Sequence, residues 1–486
     1  DPDVIRVEDT YYMVSTTMHF MPGCEILQSF DLVHWEHATY VYETLDHTDA
    51  QQLKSGQNIY GQGMWAASLR YHEGRFYICF VANDTRKTYL YTSEKIDGPW
   101  KKQLIEGFYH DGSLLFDEDG RNYIVYGNDE IWITELNEDL TAPKKDGLHR
   151  LLVSDHKNPE LGYEGSHIQK INGYYYIFLV HSLRDRWMRT EACFYSDSLE
   201  GEFTGGDVLC DDRGYCGQGV AQGGIVDTPD GKWYAMLFQD SGAVGRLPIL
   251  LPVTWKDHFP IFGQNGHVPE EIEVHSTRPG YIYQPLVGSD DFCNGLLPRW
   301  QFNHDPDPRY YHLDALQGTY TITTREVCTE LTQAVNTLTQ RMSYPSCAAE
   351  VTVDASALKE GDVAGLCALQ GCYAAVGITK HHGKYEVLML DKKEDGILDM
   401  TEGTVVESHQ MDFRLEADFC NMKDEARCYY RVNKGDWLPI GTVHKLYFKL
   451  DHFTGCRFGL FCYAAEETGG SACFRDFKYY DVDEIS

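Results

Sequence analysis

The 486-residue sequence contains no apolar run of about eighteen residues, the length that a membrane-spanning helix needs. Helical periodicity is also nearly absent, which argues against an α-helical fold. Basic residues are few, since 42 Lys and Arg stand against 74 Asp and Glu, for a formal net charge of −32. An acidic surface repels phosphate backbones and anionic lipids, so nucleic acid and membranes are not expected as partners. The expected ligands are neutral or cationic.

Cysteine spacings typical of metal sites are missing as well. The fifteen cysteines lie at irregular intervals, with no C-x-x-C pair and no cysteine–histidine cluster. An odd, dispersed set is typical of free thiols in a reducing compartment and argues against structural zinc. We therefore expect a cytoplasmic protein, with secretion as the alternative.

Aromatic residues, in contrast, are abundant. They make up 13% of the chain, with 33 Tyr and 9 Trp. Short β-rich runs bounded by Gly, Asp and Asn recur along the whole sequence, which predicts an all-β protein. A chain of this length exceeds one ordinary core, so two domains are expected.

Five of the β-rich runs resemble one another, each with a polar turn followed by an aromatic strand. They are EDTYYMVS at 8–15, EGRFYICF at 73–80, DGRNYIVY at 119–126, NGYYYIFL at 172–179 and DGKWYAML at 230–237. Successive marker tyrosines are 65, 46, 53 and 58 residues apart, and they are Tyr12, Tyr77, Tyr123, Tyr176 and Tyr234. One four-stranded blade per interval is the pattern of a five-bladed β-propeller.

Acidic residues occupy equivalent positions in three of these repeats. Eleven or twelve residues before the marker tyrosines stand Asp1, Ala66, Asp111, Glu164 and Gln222. In a propeller the equivalent point of every blade is the start of the strand nearest the central channel. The sequence therefore predicts that three carboxylates converge on one axis from different blades.

Converging carboxylates in an aromatic pocket are suited to acid and base chemistry. They cannot all stay ionised at low cost, so their pKa values are pushed apart. Glycosidic hydrolysis with inversion uses one protonated acid and one ionised base about 6.5–9.5 Å apart, a span that opposite blades can supply. A metal cage is the main chemical alternative, but Ala66 and Gln222 stand where further ligands would be needed.

Four motifs resemble those of glycoside hydrolase family 43. The family's opening motif D-P-x-[IV]-[IV]-R matches residues 1–6, its D-x-S-L-F resembles DGSLLF at 111–116, and its E-G-x-H matches residues 164–167. The stretch GAVGRLPILLPVTWKD at 242–257 matches too. The resemblance implies a five-bladed propeller that hydrolyses glycosides with inversion.

Functional residues follow from this resemblance position by position. It implies that Asp1 is the general base and Glu164 the general acid. It implies further that Asp111 orients Glu164 and raises its pKa, and that Arg246 contacts the substrate or Asp111. No nucleotide, redox or other cofactor is implied for catalysis.

The expected substrate pocket is less closely tied to the family's motifs. Many relatives place a His near the axis in the fifth blade, in some cases beside a bound ion, whereas the equivalent residue here is Gln222. This difference argues against a calcium ion on the axis, and we expect Gln222 at the substrate. We also expect His19, Phe20 and Trp65 to offer apolar surfaces to a sugar ring, with a place in the core as the alternative.

The last two hundred residues or so have a different pattern. Short alternating strands predict a β-sandwich, which resembles the concanavalin-like, jelly-roll domain at the C-terminus of family 43 β-xylosidases and arabinofuranosidases. The predicted domains are a propeller over 1–275, a linker over 276–288 and the sandwich over 289–486. The sandwich should pack on the propeller and lend a loop to the pocket rim. Asp290 and Asp476 are candidates for a structural calcium site, with ordinary surface turns as the alternative.

The predicted function is an exo-acting glycoside hydrolase that releases terminal α-L-arabinofuranosyl units from arabinoxylan or its oligosaccharides. The arabinose preference comes from STTMHFMPG at 15–23, which resembles members that act on arabinoxylan. A β-D-xylosidase, or an enzyme with both activities on xylo-oligosaccharides, is the first alternative. A carbohydrate-binding protein without catalysis is the second, and a protein-binding scaffold is the third.

Overall fold

The computed structural model describes residues 1–481, and it confirms the predicted all-β class. Five four-stranded antiparallel sheets come first and two larger sheets follow. Helix is confined, in the described part of the chain, to the 3₁₀ turns Lys54–Gly56, Gly242–Val244, Leu331–Gln333 and Cys420–Met422. Among residues 1–481 no helix is both long and apolar enough to cross a membrane.

The five small sheets are the blades of the predicted propeller. Blade 1 contains β1 (Asp3–Val7), β2 (Thr10–Val14), β4 (Gly23–Ser29) and β5 (Glu36–Tyr42), with β3 (Phe20–Met21) lying outside it. Blade 2 contains β6 (Met64–His72), β7 (Arg75–Ala82), β8 (Lys87–Ser93) and β9 (Lys101–Ile105). Blade 3 contains β10 (Ser113–Phe116), β11 (Asn122–Asn128), β12 (Glu130–Leu136) and β13 (His149–Ser154). Blade 4 contains β14 (Glu164–Ile171), β15 (Tyr174–Ser182), β16 (Arg189–Ser196) and β17 (Thr204–Leu209). Blade 5 contains β18 (Ala221–Asp227), β19 (Trp233–Asp240), β20 (Arg246–Lys256) and β21 (Phe259–Phe262).

The blades pack on one another through apolar side chains on both faces. The marker tyrosines all lie on the second strand of a blade, opposite the innermost strand, as in the pairs Tyr12–Ile5 and Tyr123–Leu115. Each blade-to-blade contact has its own buried apolar cluster. Strands held between two blades are therefore buried along nearly their whole length, as β15 is.

The ring closes between the first and last blades without a strand shared between them. Val4 and Val226 lie in the cluster that joins these blades. At the edge of that cluster the Arg6 guanidinium donates to the Asp227 carboxylate (Nη2 to Oδ2, 2.5 Å). The innermost strands β1, β6, β10, β14 and β18 then contact one another in order around the channel.

Arg70 lies across this channel and ties four blades together. Its guanidinium donates to Asp3 Oδ2 (2.8 Å), to Ser113 Oγ (2.7 Å) and to the carbonyls of Leu114 and Ile168 (2.8 and 3.1 Å). Asp3 is 1% exposed, so its carboxylate depends on this partner. Arg70 thus lies between the two ends of the channel, which we call its two mouths.

The two large sheets form the sandwich and enclose one apolar cluster. The first is ordered β3, β22 (Gln301–Asn303), β25 (Leu338–Arg341), β35 (Arg457–Tyr463), β27 (Val363–Leu369), β28 (Ala374–His381), β29 (Lys384–Lys392) and β30 (Leu398–Met400), with β31 (Thr404–Val406) also on β29. The second is ordered β23 (Tyr311–Asp314), β24 (Thr319–Thr323), β36 (Ser471–Asp481), β26 (Ser346–Asp354), β32 (Gln410–Asp418), β33 (Glu425–Val432) and β34 (Leu438–Lys445). The last five residues of the predicted sandwich, 482–486, lie outside the described residues.

The sandwich is joined to the propeller by backbone contacts. The propeller's β3 pairs with β22, so that Met21 faces Phe302. Farther along, Gly245 and Gly455 approach so closely that a Cβ on Gly245 would lie 2.7 Å from the Gly455 nitrogen. A side chain at either position would separate the two domains at the mouth of the channel.

The predicted linker 276–288 follows the outer surface of blade 1. Thr277 donates from its backbone N–H to the Phe30 carbonyl (2.7 Å), and Arg278 binds Asp9 through two nitrogens (2.8 and 3.0 Å). The Tyr281 hydroxyl donates to Glu36 (2.5 Å). Polar contacts of this kind hold the segment against the propeller.

Candidate active site

Asp1 lies in the turn before β1, at the mouth of the channel. The Thr16 hydroxyl donates to its Oδ2 (2.5 Å), and Arg246 Nη1 donates to its Oδ1 (2.5 Å). An ionised carboxylate accepts both bonds, which are charge-assisted. The side chain is only 4% exposed, so these two donors fix its orientation.

Arg246 is at the start of β20 and connects Asp1 to a wider set of charges. Its Nε donates to Asp240 Oδ1 (3.2 Å), and Asp240 in turn binds Arg189. Burial lowers the pKa of Arg189, and Asp240 opposes that effect. Arg246 therefore contacts Asp1 and Asp240. It makes no hydrogen bond to Asp111, one of the two predicted partners, and a contact with substrate stays a prediction.

Asp111 is buried at the start of blade 3, in a turn where its φ is +47°. Its Oδ2 accepts a hydrogen bond from the backbone N–H of Gly165 (2.9 Å), the neighbour of Glu164. Burial raises the pKa of Asp111. Asp111 thus positions the backbone beside the predicted acid rather than the carboxyl group of Glu164 itself.

Glu164 begins β14 and is the most accessible of the three predicted carboxylates, with a side chain 20% exposed. Asn128 Nδ2, at the end of β11, donates to its Oε2 (2.9 Å). His110 Nε2 lies 3.5 Å from the same oxygen and 3.5 Å from Asp111 Oδ2. Glu164 is therefore flanked by one neutral donor and one imidazole.

One buried imidazole, that of His167, lies between the backbone next to Asp1 and the backbone next to Glu164. His167 Nε2 lies 3.1 Å from the Pro2 carbonyl, and its Nδ1 lies 2.9 Å from the Gly165 carbonyl. Pro2 follows Asp1 and Gly165 follows Glu164, so a single ring bridges the backbone beside both residues. The structure thus brings Asp1, Asp111 and Glu164 to one end of the channel.

A cavity of about 460 Å³ opens beside Asp1 and Arg246. Its wall includes Phe453 and Thr454 from the loop before β35, so the sandwich contributes to the rim, as expected. The Arg246 guanidinium carbon lies 4.3 Å from the centre of the Phe453 ring. An aromatic face and a cation therefore line the space next to the predicted base.

Trp65 lies at the same end and is half-buried. His19 and Phe20, in contrast, are completely buried. The Trp65 ring lies 6.2 Å from His110 and 5.4 Å from Phe453, and its indole Nε1–H has no partner among the described residues. His19 and Phe20 are both 0% exposed and pack between the domains, against His304 and Arg457 respectively. The prediction that they offer surface to a sugar is wrong, and the core alternative holds.

Gln222 lies beside the backbone next to Glu164 but is 4% exposed. Its side chain packs on Gly165, where an added Cβ would lie 2.7 Å from Gln222 Cγ. Its backbone N–H donates to the fully buried Glu191 carboxyl (2.7 Å). A direct contact of Gln222 with substrate stays a prediction.

The geometry does not support the predicted calcium site at Asp290 and Asp476. Both oxygens of Asp290 accept protein donors, the Phe292 N–H (2.7 Å) and the Trp300 indole N–H (2.8 Å). Asp476 is exposed, and no set of three or more metal-ligating side chains gathers around either residue within the described chain. The surface-turn alternative does not describe them either, because Asp290 is buried and Asp476 is an exposed residue within strand β36.

The site also contains residues that the sequence did not indicate. Three of them are at strand ends that lie beside the predicted carboxylates: Asn128, Arg189 and Asp240. His110 directly precedes Asp111, so the motif H-D-G carried a signal. Phe453 follows the rest of the site by about two hundred residues, and no local pattern connects it to the propeller.

Comparison with known families agrees with this architecture in both halves. Residues 1–260 match the family described as glycosyl hydrolases family 43. Residues 289–480 match the β-xylosidase C-terminal concanavalin A-like domain.

Individual relatives align with nearly the whole of this chain. A β-xylosidase of Formosa agariphila is 26% identical, with 99% of this chain and 87% of that protein aligned. A bifunctional GH43-CE protein of Bacteroides eggerthii is 41% identical, with a TM-score of 0.91 over 99% of this chain, which spans 62% of that protein's length. A GH43 enzyme engineered for endo-xylanase and exo-arabinofuranosidase activity is 26% identical, with a TM-score of 0.86 over 99% of this chain and 97% of that one.

Proposed function

The chain belongs to glycosyl hydrolase family 43, and from this premise we propose that it releases single terminal pentosyl units from xylan-derived oligosaccharides with inversion of configuration. The observation that carries the proposal is the different surroundings of two carboxylates at one end of the channel. Asp1 contacts a guanidinium and a hydroxyl, whereas Glu164 lies beside a second carboxyl group and is more accessible. Such a difference separates a base from an acid.

Asp1 is the base in this proposal. Thr16 and Arg246 each donate to one of its oxygens and so orient the carboxylate. A water next to Asp1 loses a proton to it while attacking the anomeric carbon. The bond from that carbon to the leaving oxygen breaks at the same time. Arg246 orients the Asp1 carboxylate and stabilises its negative charge until the water transfers its proton.

Glu164 is the acid and gives its proton to the leaving oxygen. Asn128 donates to Glu164 Oε2, which leaves the other oxygen to carry the proton. Asp111 fixes the backbone at Gly165, and His167 sets the distance between this backbone and that of the base. Asp111, Asn128 and His167 are positioning residues in this scheme.

The shape of the site supports cleavage at a chain end. Arg70 crosses the channel beneath the carboxylates, and the loop that carries Phe453 forms a wall on the sandwich side. A terminal sugar fits a site closed on these two sides, whereas a continuous polymer needs two open ends. The family's enzymes act on carbohydrate, so an oligosaccharide is the proposed partner, and none of these steps uses a cofactor.

Arabinofuranosyl is the first candidate for the released sugar, and β-D-xylosyl is the second. The segment 15–23 favours the first. The second is favoured by the names of relatives, since the Formosa protein is a β-xylosidase, although a Bacteroides ovatus relative at 26% identity is a non-reducing end α-L-arabinofuranosidase. Two pentoses of similar size differ little in the contacts they offer, so one pocket can accept both.

Proton NMR of the first minutes of reaction with arabinoxylan oligosaccharides tests the proposal. Free arabinose in the inverted anomeric form is the expected result. Inverted xylose would keep the mechanism and change the sugar. Release with retention would contradict the mechanism, and no release at all would favour the carbohydrate-binding alternative.

A further inference from the structure

We propose that His110 is a positioning residue, a counter-cation shared by Asp111 and Glu164 that sets the alkaline limit of turnover. This inference rests on the proposed function, since Glu164 is the acid only if the chain cleaves glycosides in the proposed way. The juxtaposition of the three side chains is itself independent of that function.

The geometry places one nitrogen between two carboxylates. His110 Nε2 lies 3.5 Å from Asp111 Oδ2 and 3.5 Å from Glu164 Oε2, and it makes no hydrogen bond within the described residues. The imidazole is 21% exposed and lies beside the Trp65 ring. Water therefore screens the three groups only partly, and the interaction among them is chiefly electrostatic.

The surrounding charges favour the protonated ring. The nearby Asp111 carboxylate raises the pKa of His110 to about 9, and Glu164 adds to this effect. Burial and the Arg86 guanidinium oppose the increase. At neutral pH the ring is therefore an imidazolium.

The imidazolium changes how the two carboxyl groups share protons. Two carboxyl groups this close to a common point titrate as a pair, and without a cation the pair keeps one proton to high pH. With the cation in place, Asp111 is ionised more easily and the last proton leaves the pair at a lower pH. Because turnover needs that proton on Glu164, His110 lowers the pH at which activity is lost.

Replacement of His110 tests this directly. In His110→Gln the alkaline limb of kcat/KM should move upward by about 1–3 pH units, the range expected when an opposite charge is removed at this distance. The matched control is His34→Gln, which removes another histidine in contact with a carboxylate, Asp31, far from the site and largely exposed. The control should leave the limb in place, and an unchanged or lowered limb in His110→Gln would overturn the proposal.

A second measurement does not depend on turnover. The NMR signal of the His110 Cε1–H should show the ring titrating near pH 9 in the intact protein and at a clearly lower pH in Asp111→Asn, which removes the largest cause of the raised pKa. An equal titration in both proteins would overturn the role of His110. If this shift is observed but neither the intact protein nor any variant releases sugar, the proposed function fails while the electrostatic role of His110 stands.

Discussion

The two mouths of the propeller channel are built from the same five inner strands, yet only one has the chemistry of a catalytic site. The mouth at the opposite end contains a cavity of about 1030 Å³, larger than the cavity of about 460 Å³ beside Asp1 and Arg246. It is lined by the far ends of the inner strands and contains Arg6, Lys170 and Asp227. Cavity size therefore does not identify the functional end.

Charge pairing distinguishes the two mouths. At the opposite mouth Arg6 pairs with Asp227, and Lys170 pairs with Asp117 (2.6 Å). At the site end, Asp1 and Asp240 are paired with arginines as well, but Asp111 and Glu164 meet around a single imidazole. Paired charges hold blades together, whereas crowded like charges have perturbed pKa values and are typical of catalysis. Variants at each mouth test this contrast.

The largest effect is expected for Glu164→Gln. Glutamine keeps the shape and the contact with Asn128 but cannot donate a proton to the leaving oxygen, so kcat should fall by about 10²- to 10⁴-fold with little change in substrate binding. Steady-state kinetics and calorimetry of oligosaccharide binding check both parts. Asp227→Asn, the matched change at the other mouth, should keep kcat within about threefold, and equal losses from the two variants would break the comparison.

The contribution of Arg70, which lies between the two mouths, to the stability of the propeller is tested by Arg70→Met. The change leaves the Asp3 carboxylate buried without its cationic partner, which should lower the free energy of unfolding by about 3–5 kcal/mol. Denaturant unfolding measures the loss. The matched variant Arg6→Met removes a more exposed cation, whose ion pair contributes about 0–1 kcal/mol. Similar stability of the two variants would show that Arg70 does not hold the centre of the ring.

A smaller effect is expected for Phe453→Ala. The ring covers the Arg246 guanidinium and lines the cavity, so its loss should lower kcat/KM about tenfold, the consequence of one lost apolar contact. The control is Tyr71→Ala, since Tyr71 is a 44% exposed aromatic residue of the opposite mouth. A loss of kcat/KM in the control that matches the loss in Phe453→Ala would indicate that substrate also uses the opposite mouth.

Much of the fold followed from local patterns, and some of the site did too. The five repeats predicted five blades because each polar turn with its aromatic strand is a local unit that occurs once per blade. The same spacing placed Asp1, Asp111 and Glu164 at equivalent points, which the structure brings to one end. His19 and Phe20 were assigned wrongly because their segment turns outward, where β3 joins the sandwich and buries both side chains.

Other features depended on contacts between distant segments. Asp240 is the hairpin partner of Arg246 within blade 5, whereas Arg189 lies in blade 4 and reaches Asp240 only because the two blades pack together. Phe453 reaches the cavity because Gly245 and Gly455 let the domains approach. Asp290 was predicted from the sequence as a metal ligand. In the structure its two oxygens accept hydrogen bonds from the Phe292 backbone N–H and the Trp300 indole N–H. Hydrogen-bond partners of this kind are not encoded in local spacing.

The sequence by itself determined the all-β class, the number of blades and the phase of the three carboxylates within them, because strand alternation and repeat length are local properties of the chain. The tertiary structure alone decided which groups surround each carboxylate. Arg246 and Thr16 meet Asp1, and His110 stands between Asp111 and Glu164. Those neighbours set the electrostatic environment, which depends on distances and burial in space rather than on order along the chain.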